Sequence, residues 1–176
     1  MNFGRNISLV NMKKMSVNFN VPEWAKGTMI YHIFVDRFNR SDESKLVDMP
    51  RRNLHRDLSE EPQLGPDKEG IWNNDFYGGD LQGITDKLEY IRKMGFKVLF
   101  LSAIVQSQSN HRYDSGDYEN VDPLAGTVRD LMKLCDKAHS LGMKVILDGV
   151  FNHTGNDSKY FNEYGSYDSV GAYQDP

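Results

Sequence analysis

Two stretches of the chain repeat one pattern, and that pattern restricts the fold more than any other feature. ITDKLEYIRKMGFKVLFLS places Ile84, Leu88, Ile91 and Met94 on one helical stripe, followed by Gly95 and the apolar run KVLFL. TVRDLMKLCDKAHSLGMKVILDGV repeats it with Val128, Leu131, Cys135 and Ala138, then Gly142, then KVILDGV. Apolar residues three and four apart describe a helix with one buried face, and short unbroken apolar runs describe strands covered on both faces. Thr85 and Thr127 suit the N-cap region of the two helices, and each glycine suits a left-handed C-cap. An earlier run, MIYHIFVDRF, supplies a strand ahead of the first helix. Strand, helix, strand, helix, strand implies parallel strands joined by right-handed crossovers. The expected strands are 30–36, 98–102 and 144–150, paired in chain order. Cys135 falls on the apolar stripe of the second helix and reads as a core thiol rather than a nucleophile.

The rest of the chain gives fewer signals. Residues 1–21 alternate only weakly and read as a tail or the end of an upstream module. Residues 39–74 form a polar segment with Pro50, Pro62, Gly65, Pro66 and Gly70. It is too long for an ordinary connection, so it is either functional or mobile. A net charge of -4 argues against a partner held through nucleic-acid phosphates. With one cysteine there is no intrachain disulfide. No apolar run approaches the ~20 residues of a membrane span, and no apolar segment follows Lys13 and Lys14 as in a secretion signal. If Met1 is the true start, the expected location is the cytoplasm.

Parallel α/β sheets place their chemistry at the C-terminal ends of their strands. Three polar clusters fall there or just beyond. Asp148, Asn152 and His153 end the apolar run VILDGVFNHTG. Ser109, Asn110, His111, Tyr113, Asp114, Asp117 and Tyr118 follow the second strand after a short link. Asn73, Asn74, Asp75 and Asp80 surround Gly78-Gly79 in NNDFYGGDLQGI. Each cluster alone can be read as a hydrogen-bonded turn. Asp148, Asn152 and His153 together point to a site. A tyrosine ring beside carboxylates suits a sugar, which has one apolar face and a hydroxyl rim. The glycine pair is not a phosphate loop, because neither Lys-Ser/Thr nor GxGxxG spacing accompanies it.

DRF, FYGGDLQGI, SNHRYDSGDYENVDPLAGT and DGVFNHTG, in that order, closely resemble the α-amylase family of glycoside hydrolases, in its neopullulanase and cyclomaltodextrinase branch. DGVFNH matches the family signature Asp-x-x-x-Asn-His. The resemblance covers Trp24 to about Gly155 and implies the first three strands and two helices of a (β/α)8 TIM barrel. On that basis 22–153 is the first part of the catalytic barrel, and 154–176 begins a domain inserted after the third strand. The resemblance implies that His111, Tyr113, Asp114 and His153 contact an α-glucan or maltooligosaccharide, Tyr113 by stacking. It also implies that Asp148 braces the site and Asn152 fixes the loop to the inserted domain. Ala103 stands where the family often has proline.

Two departures bear on function. Many relatives bind Ca²⁺ through Asn and Asp in the loop here written FNRSDESKL, together with the GGD loop. Arg40 and Lys45 fall where oxygen ligands would be wanted, so Gly78 and Asp80 are the metal ligands only if such a site forms, and no cofactor is required. The family's retaining hydrolysis uses a nucleophile and an acid/base about 5–5.5 Å apart, from later strands. No matching signature occurs in this sequence, so the resemblance puts both carboxylates beyond Pro176. The expectation is a fragment of an α-glucan-active hydrolase whose catalytic residues are absent from the chain. The alternative is a non-catalytic glycan-binding or accessory protein derived from the same family.

Overall fold

The computed structural model describes residues 20–46, 49 and 51–175. Residues 1–19, most of the expected tail, lie outside that description. So does Pro176. A 3-10 turn at Glu23–Ala25 leads into the first strand.

Strands β1 (Ile30–Ile33), β4 (Val98–Leu101) and β7 (Lys144–Leu147) form a parallel sheet in that spatial order. Tyr31 pairs with Leu99 and Leu99 with Val145, which fixes the register. The parallel order in chain sequence is as the repeat requires. Side chains alternate across the sheet. Ile33, Leu99 and Leu101 enter the main core, with Tyr31 and Val145 packed against it. His32, Phe100 and Ile146 share the opposite face, where the rings of His32 and Phe100 stack at 4.8 Å.

All three strands stop earlier than expected, β4 by one residue and β1 and β7 by three. The chain leaves β1 at Phe34 and enters α1, one helical turn at Val35–Phe38. The turn forms because the fully buried Asp36 carboxylate accepts from the backbone N–H groups of Tyr77 and Gly78, and a straight strand would not aim it there. β7 adds one further rung, Asp148 N–H to the Leu101 carbonyl, before Gly149.

Helices α2 (Leu81–Lys93) and α3 (Val128–Ser140) pack on each other and contribute Leu81, Ile84, Leu88, Ile91, Leu134 and Ala138 to the core. Thr127 caps α3 in a capping box with Asp130. Thr85 does not cap α2. Asp80 does, accepting from Gly83 N–H at 2.5 Å, while Thr85 lies inside the helix and donates to the Leu81 carbonyl. The helix starts earlier because Leu81 already points into the core. Gly95 and Gly142 take φ of +97° and +70°, as left-handed C-caps require.

The apolar stripe of α3 is rotated from the expected one. Leu134 is buried, Val128 is 52% exposed, and Cys135 is only half-buried. Cys135 is therefore not the buried core thiol expected, although partial burial, with Asp136 nearby, still pushes its pKa up.

Among its described residues the polar segment 39–74 has a 3-10 turn at Glu43–Lys45 and one short strand, yet it is tied down. A two-residue parallel ladder joins β2 (Asn53–Leu54) to β3 (Asp75–Phe76). Arg52 donates to both oxygens of the fully buried Asp122, at 3.0 and 2.6 Å, and to the Ser107 carbonyl. Arg112, 1% exposed, adds a third guanidinium bond to Asp122. Beyond β4, β5 (Val105–Ser107) and β6 (Ser115–Val121) make an irregular antiparallel hairpin. Residues 154–175 lie in turns. Their backbone meets that hairpin through Gly155 N–H to the Ser115 carbonyl and Lys159 N–H to the Gly116 carbonyl.

Candidate functional site at the strand ends

The site is assembled where β7 ends and the hairpin turns back over it. Tyr113 lies in the hairpin turn and Asp148 follows β7. They are 35 residues apart, yet the Tyr113 hydroxyl donates to Asp148 Oδ2 at 2.8 Å. Burial first, and then the Asp148 carboxylate, raise the Tyr113 pKa above its ordinary value. Both effects favour the neutral phenol, the form able to donate.

His153 closes the same cluster. Its Nε2 lies 3.0 Å from the Tyr113 carbonyl, and the Asn152 side-chain amide lies 2.7 Å from its Nδ1. A carbonyl only accepts, so Nε2 carries the proton, and Nδ1 accepts from the Asn152 amide. Asn152 thus sets the tautomer of its neighbour. The resemblance implied that Asn152 fixes the loop to the inserted domain; here its amide is on the His153 ring.

His111 stacks against Tyr113 with ring centroids 5.7 Å apart, and its Nδ1 accepts the Tyr113 backbone N–H at 3.0 Å. Asp114 is engaged within the hairpin turn. Its carboxylate accepts from the Ser109 hydroxyl and, at 3.1 Å, from the Ser109 N–H, so it holds the turn in which Arg112 takes a positive φ of 62°. Of the four residues expected to contact sugar, His111, Tyr113 and His153 come together, with Asp148 beneath Tyr113. Asp114 is engaged within its own loop.

Tyr118 on β6 donates to the carbonyls of Val150 and His153, clamping the turn after β7 to the hairpin, and its ring lies 5.7 Å from that of Phe151. The position after a strand end was visible in the sequence, but its partner 35 residues on was not. Beside Asp148 opens a cavity of about 300 Å³ lined by Ile104, Tyr118, Val121, Leu131, Leu147 and Phe151. Phe151 is 84% exposed at its rim.

The glycine-pair loop is anchored by different means. Gly79 N–H donates to the Asp36 carbonyl, and Asn110 reaches the Asp75 carbonyl, joining this loop to the hairpin turn. The oxygens a calcium ion would use are occupied. Asp80 Oδ1 accepts from Gly83 N–H and Oδ2 from the Ser41 hydroxyl. The carbonyls of His55, Arg56 and Tyr77 converge on the Arg40 guanidinium. A divalent cation beside that guanidinium would meet a like charge, so the residues present do not fit one. The side chain of Lys45, the other expected obstacle, lies outside the description.

Above the sheet, then, aromatic, imidazole and carboxylate groups gather at the C-terminal end of a parallel strand, which defines an α/β protein with a strand-end site. The chain belongs to the α-amylase family of glycoside hydrolases: the family's catalytic-domain model, "Alpha amylase, catalytic domain", matches residues 32–175. An amylopullulanase of Thermoanaerobacterium saccharolyticum is 46% identical over 171 residues, covering 90% of this chain and 13% of that protein. A cyclomaltodextrinase of Thermoanaerobacter pseudethanolicus is 37% identical over 145 residues, covering 82% of this chain and 23% of that protein. The structure of the cyclic α-maltosyl-(1→6)-maltose hydrolase of Arthrobacter globiformis in complex with maltose superposes with a TM-score of 0.69 at 32% identity, over 87% of this chain and 32% of that one. The branch is the neopullulanase and cyclomaltodextrinase-like one. The chain thus spans less than a third of the length of these curated relatives. Among the described residues no helix is long and apolar enough to cross a membrane.

Proposed function

We propose that this chain supplies part of the sugar-binding floor of an α-glucan-active hydrolase and carries none of its catalytic carboxylates. In this reading 22–153 is the opening of a (β/α)8 barrel, with its first three strands and two helices, and 154–176 begins the inserted domain. The nucleophile and the acid/base then belong to strands that follow Pro176. The observation that carries the reading is the convergence of Tyr113, Asp148 and His153, which brings a flat ring, a carboxylate and an imidazole of fixed tautomer to one strand end. Sugar stacks on the Tyr113 ring and meets His111 and His153 at its hydroxyl rim, while Asp148 and Asn152 support and orient these groups. Positioning groups of this kind neither protonate a leaving oxygen nor stabilise an oxocarbenium-like state.

The test pairs two assays on the purified chain. Incubation with soluble starch and pullulan should release no reducing sugar above the buffer control. Titration with maltotriose, followed by histidine and tyrosine ring resonances, should move those of His111, Tyr113 and His153 and leave those of His32 and His139 unchanged. Metal-independent hydrolysis by the monomer would overturn the absence of catalytic carboxylates. Saturable binding that leaves the three site resonances unmoved would overturn the assignment of the sugar site.

A further inference from the structure

Arg40 stands in an unusual setting for a surface-loop arginine. It follows α1 in a turn, yet its side chain is only 6% exposed. One terminal nitrogen donates to the carbonyls of His55 at 3.2 Å and Tyr77 at 3.1 Å. The other donates to the Arg56 carbonyl at 2.6 Å and the Glu43 carboxylate at 3.2 Å. Three backbone carbonyls and a carboxylate oxygen, drawn from three separate segments, thus face one positive charge. Carbonyl and carboxylate oxygens in convergence are the ligand set that hard cations take.

The packing around the arginine stem is equally close. Gly78 has φ +70°, and a Cβ there would meet Leu46 Cδ2 at 2.5 Å and Arg40 Cδ at 3.4 Å. The loop after β1, the turn after β2 and the glycine-pair loop therefore close around the Arg40 side chain. A guanidinium presents several donors in one plane and stays charged at any accessible pH. It can therefore satisfy carbonyls that would otherwise need an ion.

We propose that Arg40 is a built-in cation that does for these three segments what a bound metal ion would do. The region is indifferent to calcium as the chain stands, and shortening Arg40 to an oxygen-bearing side chain converts the carbonyl cluster into a cation site. This inference concerns the loops around Arg40 and uses no sugar.

The experiment compares the native chain, Arg40→Asn and Arg40→Lys. Thermal unfolding is followed in EDTA and then in calcium, magnesium or sodium chloride, and terbium luminescence sensitised by nearby tyrosines reports direct binding. The native chain and Arg40→Lys should melt at the same temperature in EDTA and calcium. Arg40→Asn should melt lower in EDTA, recover in calcium, and bind terbium at least about tenfold more tightly than the native chain. Saturable terbium binding or a calcium-dependent melting shift in the native chain would overturn the proposal. So would an Arg40→Asn chain that responds to no cation, or one that stays unfolded in calcium.

Discussion

Replacing Asp122 with alanine tests the arrangement on which the segment 39–74 depends. Asp122 is fully buried and accepts two bonds from Arg52, one from Arg112 and one from the Leu124 N–H. Burial alone would raise its pKa, but the charges and hydrogen bonds of Arg112 and Arg52 more than reverse this and hold the carboxyl below its ordinary 3.8. The substitution leaves two guanidinium groups, one of them 1% exposed, without their counter-charge. Removing one partner of such a buried set costs about 3–5 kcal/mol. For a chain of this length that is about 6–20 °C in melting temperature, at roughly 2–4 °C per kcal/mol. Urea and thermal unfolding of native and Asp122→Ala chains at neutral pH would measure it. Replacing all three groups by apolar residues (Arg52→Met, Arg112→Leu, Asp122→Leu) should recover most of the loss, because no charge is then stranded. Two results would refute the reasoning: a single-substitution cost below about 1 kcal/mol, or a triple variant no more stable than the single one. The pH dependence follows in sign. A depressed folded pKa gives stabilisation that is present above pH 3.8 and lost as pH falls through the lower folded value.

Three further outcomes are expected. His55 lies between Asp75 at 2.7 Å and Glu60 at 2.8 Å; burial lowers its pKa, but the two carboxylates raise it overall above 6.5. The stabilisation it gives should be full below pH 6.5 and fade as pH rises through the raised value, with its ring-proton titration midpoint above 6.5 as the check. Gly79→Ala places a Cβ 2.1 Å from the Val35 carbonyl oxygen and 2.7 Å from that of Asp36. Backbone cannot swing aside as a side chain can, so the cost should reach or exceed about 3 kcal/mol, and a melting temperature equal to the native one would contradict the contact. Tyr113→Phe removes the donor to Asp148, and since both groups are half-buried the cost should be about 1 kcal/mol, read by urea unfolding, with the fold kept by circular dichroism.

What could be read from residue order was local or periodic. The helix-glycine-strand repeat foretold the parallel order of β1, β4 and β7, and Gly95, Gly142 and Thr127 foretold their caps, because each depends on neighbours a few positions away. The start of α2 was misplaced because Thr85 was read as its N-cap residue, while Leu81 and the true cap Asp80 lie upstream. The strand ends were misjudged at Asp36, whose partners Tyr77 and Gly78 are more than forty residues on. The residues of the strand-end cluster were nameable from their types and positions. Their engagement was not, since the Tyr118 clamp and the His153–Tyr113 contact follow from how the hairpin folds over β7.

The Arg52–Asp122 pair joins residues 70 positions apart, and that separation sets an order of events. A chain made from its N-terminus exposes Arg52 long before Asp122 has left the ribosome. Through that interval 39–74 has its own short ladder to β3 but no buried counter-charge for Arg52. Contacts of such separation must overcome loop-closure entropy before they return any stabilisation. Docking of this segment therefore comes late, after α2 and β4 have been synthesised and the hairpin carrying Asp122 has emerged. Until then its arginine lacks the buried carboxylate that it meets in the folded chain, and closure onto Asp122 supplies it.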